Sequence, residues 1–182
     1  MILGQRNRAW QFAAPGRAMV SLCTMNVLRF FVLLALVVWI GGIIFFAFAV
    51  APTVFKVLPT RHLAGAVVTR SLGILHWMGI VCGFVFLITS MINSYSARGA
   101  PHPFAPRHLL VYIMLALTAI SQFVVSAKML ALRTAMGEID LVPVTDARRI
   151  AFNQLHAWST RLESGVLILG LVVLFLVARR LS

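Results

Sequence analysis

Four long runs of apolar residues, separated by short polar or proline-containing segments, set the pattern of this chain. Residues 30–51 form an uncharged run with Arg29 ahead of it and Pro52 behind it. Residues 71–93 are bracketed by Arg70 and Arg98, and residues 109–127 lie between Arg107 and Lys128. Each run approaches the roughly 20 residues an α-helix needs to cross the hydrocarbon core of a bilayer. The last run is shorter and reaches spanning length only as 158–178, by borrowing the segment with Trp158, Arg161 and Glu163. The runs are continuously apolar rather than alternating, which predicts spanning helices and not strands. The expectation is an all-α integral membrane four-helix bundle built from residues 25–182.

Local signals place the helix ends beyond the lipid. Thr60 can cap a second helix that starts near Arg61, Pro106 suits the first turn of the third, and Gly137 can end it. Thr145 followed by Asp146 reads as a cap with a favourable first-turn charge, so the fourth helix runs from about Asp146 to about Arg180. The segment 94–106, with Gly99, Pro101, Pro103 and Pro106, is a loop.

Composition agrees with lipid as the main solvent. Hydrophobic residues make up 61% of the 182 positions and charged residues 11%, against about 25% charged in soluble domains; the mean hydropathy is +0.97. The net charge is +12, but the basic residues sit at the edges of the apolar runs, where they meet lipid phosphates. The partner implied is therefore the lipid bilayer and not nucleic acid. Four spans put both termini and the 94–106 loop on one side. That side carries Arg6, Arg8, Arg17, Arg29, Arg98, Arg107, Arg179 and Arg180. The other carries Lys56, Arg61, Arg133, Arg148 and Arg149 once Arg70, Lys128 and Arg161 are assigned to membrane depth. The bias favours cytoplasmic termini in a bacterial inner membrane. Residues 1–24 form a basic segment that is either surface-lying or the product of a start placed too far upstream, with Met19 and Met25 as alternatives. Cys23 and Cys82 are too far apart along the first two helices to pair.

Polar residues at membrane depth are costly and face the bundle interior. On the second helix His62, Thr69, His76, Gly83 and Ser90 recur every seven residues, a step that returns to nearly the same face. On the fourth, Arg149, His156, Glu163 and Gly170 do the same, with Asn153, Ser159 and Thr160 alongside. If both stripes face inward, His76, His156 and Glu163 meet in the half of the membrane near the 52–60 and 137–145 connections. Three chemistries are then open. His76 and His156 can ligate haem (haem b) axially. The set His76, His156 and Glu163, with His62, can bind a transition metal. Glu163 with a histidine and Arg70 or Arg161 can form a buried ion pair or proton relay. Against all three stands the plain reading of histidines that hydrogen-bond a neighbouring carbonyl or hydroxyl. His102 and His108, beside the proline-rich loop, are expected to face solvent or headgroups. Trp39 and Trp77 are expected to pack, and Trp158 to anchor at the interface. Gly41-Gly42 and Gly79-x-x-x-Gly83 are helix-packing signals. No hydrolase triad, phosphate loop or HExxH is present, which leans away from an enzyme.

Several stretches carry a family resemblance. Trp39-Ile40-Gly41-Gly42 to Phe45-Phe46, Ala51-Pro52-Thr53-Val54-Phe55 and Leu58-Pro59-Thr60-Arg61-His62-Leu63-Ala64-Gly65 resemble the bacterial "domain of unknown function 4149" family, whose eukaryotic relative is the transmembrane protein 205 family. The segment Phe152-Asn153-Gln154-Leu155-His156-Ala157-Trp158-Ser159 is similar to that family's F-x-x-L-H-x-x-S signature. The resemblance covers roughly residues 25–180. It implies a four-helix membrane protein without an assigned activity, and its eukaryotic branch points toward metal handling. The family pattern has Asn four residues after the signature Ser, where this chain has Glu163. A looser likeness, in layout alone, is to the membrane part of copper-resistance D proteins. Three functional classes follow: a metal- or haem-binding membrane protein; an accessory or structural subunit packing on other membrane subunits or on itself; and a small-solute transporter.

Overall fold

A computed structural model describes residues 15–98 and 103–179. Residues 1–14 of the basic N-terminal segment, His102 and Arg180 lie outside the described residues, as do the side chains of Arg17, Cys23 and Arg98. Every regular element among the described residues is helical. In hydrocarbon a backbone must satisfy its own polar groups, and helices do so without partners.

Four rods result. The first joins α1 (Pro15–Phe45) to the short α2 (Ala51–Val57) through a π turn at Phe46–Val50. The second is one unbroken helix, α3 (Arg61–Arg98). The third joins α4 (Pro106–Ile120) to α5 (Ser126–Met136) through a second π turn at Ser121–Val125. The fourth is α6 (Ala147–Ala178). All four rods are long and apolar enough to cross a membrane, over Thr24–Val57, Arg61–Ser96, Pro106–Met136 and Ala147–Ala178. Residues 15–24 continue α1 without a break into the first span.

The π turns are visible in the hydrogen bonding. Ala51 N–H donates to the Phe46 carbonyl and Ser126 N–H to the Ser121 carbonyl, each one residue further back than in an α-helix. The first π turn leads into Pro52, which has no N–H to give to the preceding turn.

The ends follow their local chemistry. Thr60 Oγ1 accepts from Leu63 N–H at 3.2 Å, as its position predicts. Asp140 Oδ2 reaches across to accept from His62 N–H at 3.2 Å, so a second oxygen serves the start of α3. Gly137 ends α5 at φ 66°, a left-handed conformation that glycine adopts without strain. The cap of α6 lies one residue later than expected: Asp146, not Thr145, accepts from Arg148 N–H at 2.8 Å. A carboxylate on the cap competes well because it can bind the backbone N–H and the Arg148 guanidinium at once.

The rods pack as a ring, α1 against α3 and α6, and α4 against α3 and α6. Lipid is as apolar as leucine, so close van der Waals fit rather than water exclusion holds such a bundle together. The fit centres on Trp39 of α1, fully buried in one apolar cluster with Leu36, Phe86, Val111, Met114, Val166 and Val173. The indole lies in the groove left by Gly79 and Gly83. A Cβ at Gly79 would stand 2.4 Å from Nε1, and one at Gly83 would stand 3.0 Å from Cζ3. Of the Gly41-Gly42 pair, only Gly42 meets a neighbour, Met78 and Leu75. Trp77 faces outward and stacks edge-on with Phe123.

A helix of 32 residues such as α6 is about 48 Å long at 1.5 Å per residue, well beyond the ~30 Å of hydrocarbon. Counting about 20 residues inward from Arg107 and from Arg179 reaches Lys128 and Trp158. The excess length therefore protrudes at the end that carries the α2–α3 and α5–α6 connections, here termed the connection end.

Candidate functional site

The second helix keeps its predicted polar face inward. His76, Gly83 and Ser90 are all buried, and His76 retains only 1% exposure. Its imidazole is held from both sides. Nδ1 lies 2.8 Å from Oε1 of Gln122 and Nε2 lies 2.5 Å from Oε1 of Glu163. Three rods thus meet at one ring. Gln122 reaches it because it sits within the Ser121–Val125 π turn, where the extra backbone residue turns the side chain toward α3. Gly73, one turn before His76, lies beside the amide: a Cβ there would make ordinary contact with Gln122 Oε1 at 3.9 Å. Glu163 lies on the inward stripe of α6 between Ser159 and Val166, both buried.

The arrangement defines where protons can be. With the Gln122 carbonyl oxygen facing it, Nδ1 carries a hydrogen and donates. One further proton then lies between Nε2 and the Glu163 carboxyl, at a separation within the charge-assisted range. Whether it sits on the imidazole or on the carboxyl, the pair is net neutral. Loss of that proton leaves a negative charge inside the bundle, and gain of another leaves a positive one. Glu163 is the only acid in the membrane part of the chain, the other three being Glu138, Asp140 and Asp146.

Two hydroxyls of α4 and its π turn belong to the same layer. Leu117 meets Gly165 and Met114 meets Gly170, so the antiparallel α4 and α6 bring Thr118 and Ser121 to the level of Glu163. Both are buried and have no hydrogen-bond partner among the described residues.

The structure assembles the predicted residues selectively. His76 and Glu163 meet, with no arginine joining them among the described residues. His156 is exposed, and the expected His76–His156 pair does not form. The heptad step kept the face but not the depth: His156 precedes Glu163 by about 10 Å along the helix axis. His62 lies near the start of α3, its backbone N–H and carbonyl engaged by Asp140 and Arg133. Its Nδ1 is buried without a partner among the described residues. Thr69 bonds back to the Gly65 carbonyl at 2.7 Å. Arg70 and Arg161 are exposed rather than paired with Glu163, and Arg161 stacks over Trp158 at 5.2 Å. The exposure of both arginines keeps their charges out of the bundle interior.

The donor set does not suit haem or a transition metal. Both nitrogens of His76 already face acceptor oxygens, and His156 is exposed. No group of three or more His, Cys, Asp or Glu side chains converges among the described residues.

Two further polar clusters were not foreseen. His108, expected in solvent or headgroups, is fully buried. Its Nε2 lies 2.8 Å from Ser90 Oγ, and Arg107 Nε donates to both groups. Its ring meets Phe86 edge-on. At the connection end, Arg133 is buried against Gly65 and donates to the His62 carbonyl, stitching the third rod to the second. Gln122 could have been found from the sequence: it is the one long polar side chain within the third apolar run, and such residues at membrane depth face the interior.

Comparison with known proteins agrees with this architecture. Residues 34–138 match the family described as Domain of unknown function (DUF4149). The chain belongs to that family. The match spans His76 and Gln122 and stops short of α6, so Glu163 lies outside it. No curated protein and no solved structure matches the chain.

Proposed function

We propose that this membrane protein handles protons, with the His76–Glu163 pair as its working centre and Gln122 as the residue that orients the imidazole. The observation that carries this reading is the 2.5 Å contact between His76 Nε2 and Glu163 Oε1, made while Nδ1 is committed to Gln122. Such a pair shares one transferable proton between an imidazole and a carboxyl. The orphaned hydroxyls of Thr118 and Ser121 are suited to bind internal water, which would extend the pair into a short proton-conducting chain. The pair lies nearer the connection end, which the basic-residue bias assigns to the non-cytoplasmic face of a bacterial inner membrane. Protons therefore exchange with that side over the shorter distance.

The test is proton flux in proteoliposomes that contain an entrapped pH indicator and an imposed potential. Wild-type protein is expected to collapse a pH gradient at least about tenfold faster than Glu163→Gln or His76→Gln protein, since each substitution removes a group that must change protonation. Equal rates in the three proteins, or no flux from the wild type above that of empty vesicles, refute the reading. The second result would favour an accessory subunit instead.

A further inference from the structure

Thr118 and Ser121 behave unlike the other hydroxyls of the rods. Thr69, Thr134, Thr160 and Ser164 each donate to the carbonyl one turn earlier on their own helix, at 2.7 to 3.1 Å. That bond is open to any hydroxyl inside a helix. Thr118 and Ser121 do not make it. They retain 2% and 0% exposure, and neither oxygen has a hydrogen-bond partner among the described residues. A water or an ion is the usual occupant beside buried hydroxyls in that state.

Three residues apart, the two hydroxyls share one face of the third rod. The contacts of Leu117 with Gly165 and of Met114 with Gly170 fix the register of the antiparallel α4 and α6. By that register Glu163 stands at about the height of Ile120, within ~3 Å of Thr118 and Ser121 along the axis. Its Oε1 is committed to His76, while Oε2 makes no hydrogen bond among the described residues. The Glu163 side chain retains 16% exposure, so the layer is not sealed against exchange. One carboxylate oxygen and two hydroxyl oxygens thus lie at one level without partners. Oxygen donors of this kind suit hard cations rather than transition metals. A single carboxylate with two neutral hydroxyls balances one positive charge, not two.

We propose that Glu163 Oε2, Thr118 Oγ1 and Ser121 Oγ bind an alkali-metal cation, with water completing its shell. The ion goes beyond the proton-handling reading: it shares Glu163 but uses the oxygen that His76 does not, and binding does not require proton flux.

The probe is radioactive sodium, equilibrated with the purified full-length protein in detergent while choline chloride holds the ionic strength. Wild-type protein is expected to bind saturably, about one sodium per chain, displaced by unlabelled sodium and not by choline. Glu163→Gln and Thr118→Val/Ser121→Ala are each expected to weaken binding at least about tenfold, the loss that even outer partners of a bound metal produce. The double substitution removes two unpartnered hydroxyls at nearly constant shape, so the fold should tolerate it. Thr118→Ser, which keeps the hydroxyl, is expected to bind within about threefold of wild type, as is Thr134→Val, which removes a hydroxyl already bonded within α5. No saturable binding to the wild type, displacement by choline, or equal affinity in wild type and the double variant overturns the proposal. So does an equal loss in Thr118→Ser and Thr118→Val, since the hydroxyl is then not the ligand. Sodium binding without proton flux would sink the proton reading alone, and flux without sodium binding would sink the cation site alone.

Discussion

Replacing Gly79 with alanine tests whether the bundle is held by the seat of a single indole. The added Cβ would stand 2.4 Å from Nε1 of Trp39, 2.8 Å from Cε2 and 3.0 Å from Cδ1. Relaxed contacts of this kind are about 3.5–4.0 Å, so the ring must retreat by roughly 1 Å. It has little room, because it is fully buried and its Cζ3 edge already lies against Gly83. Overpacking of this type costs about 1–3 kcal/mol, and the gain in helix propensity over glycine returns at most about 1 kcal/mol. A net loss of about 1–2 kcal/mol is expected. Gly41→Ala is the matched control, because nothing lies within 4 Å of its added Cβ; it gains the propensity without the clash. Both variants are unfolded in mixed micelles and followed by helical circular dichroism. Trp39→Phe, which removes the Nε1 edge, is expected to shrink the Gly79→Ala penalty, giving a coupling of about 0.5–3 kcal/mol in a double-mutant cycle. If Gly79→Ala unfolds at the midpoint of wild type or of Gly41→Ala, the indole is not seated as described and the packing argument fails.

Other expectations concern the polar contacts. Gln122→Leu removes the acceptor for His76 Nδ1 and should cost about 1–3 kcal/mol; nitrogen NMR of the histidine ring should register the change, and an unaltered ring spectrum would contradict the contact. Arg133→Met deletes the guanidinium from the His62 carbonyl and is expected to lose about 1–3 kcal/mol, with faster amide exchange confined to the start of α3; uniform exchange along α3 would argue against a local stitch. Asp146 is held at about 2, below its ordinary 3.8, first by the Arg148 side chain and then by its backbone N–H. A depressed carboxylate stabilises above its unfolded value and loses that contribution as pH falls through the folded one. The first turn of α6 should therefore stay ordered down to pH 3.8 and fray as pH falls to about 2; Asp146→Ala should abolish that step, and a step surviving the substitution would assign it elsewhere.

The rods and their faces could be read from sequence because lipid permits so few solutions. Continuous apolar runs announced four crossings, and the seven-residue recurrence of His76, Gly83 and Ser90 announced the inner face of α3. Depth was harder to read. His156 shares its heptad with Glu163, yet a heptad repeat says nothing of how far along the rod its partners extend, and at that level His156 is exposed. His108 sits beside a proline-rich loop and so looked solvated, but it follows Pro106 into α4 and turns onto Ser90. The inward face of Gln122 follows from its polarity within an apolar run, but the π turn that carries it does not, because the choice between four- and five-residue spacing of backbone bonds leaves no hydropathy signature. The switch of cap from Thr145 to Asp146 is a competition between neighbouring side chains that propensity alone does not rank.

The π turn at Ser121–Val125 makes the third rod two screws of the same thread joined by a single spare residue. Sliding that spare residue along the thread rotates the segment it passes by about 100°, one residue's share of a helical turn, while both ends stay anchored. His108 fixes one end in the bundle and Arg133 the other. Gln122 lies between those two anchors and within the turn that holds the spare residue, so the amide that grips His76 sits where such a slide would act.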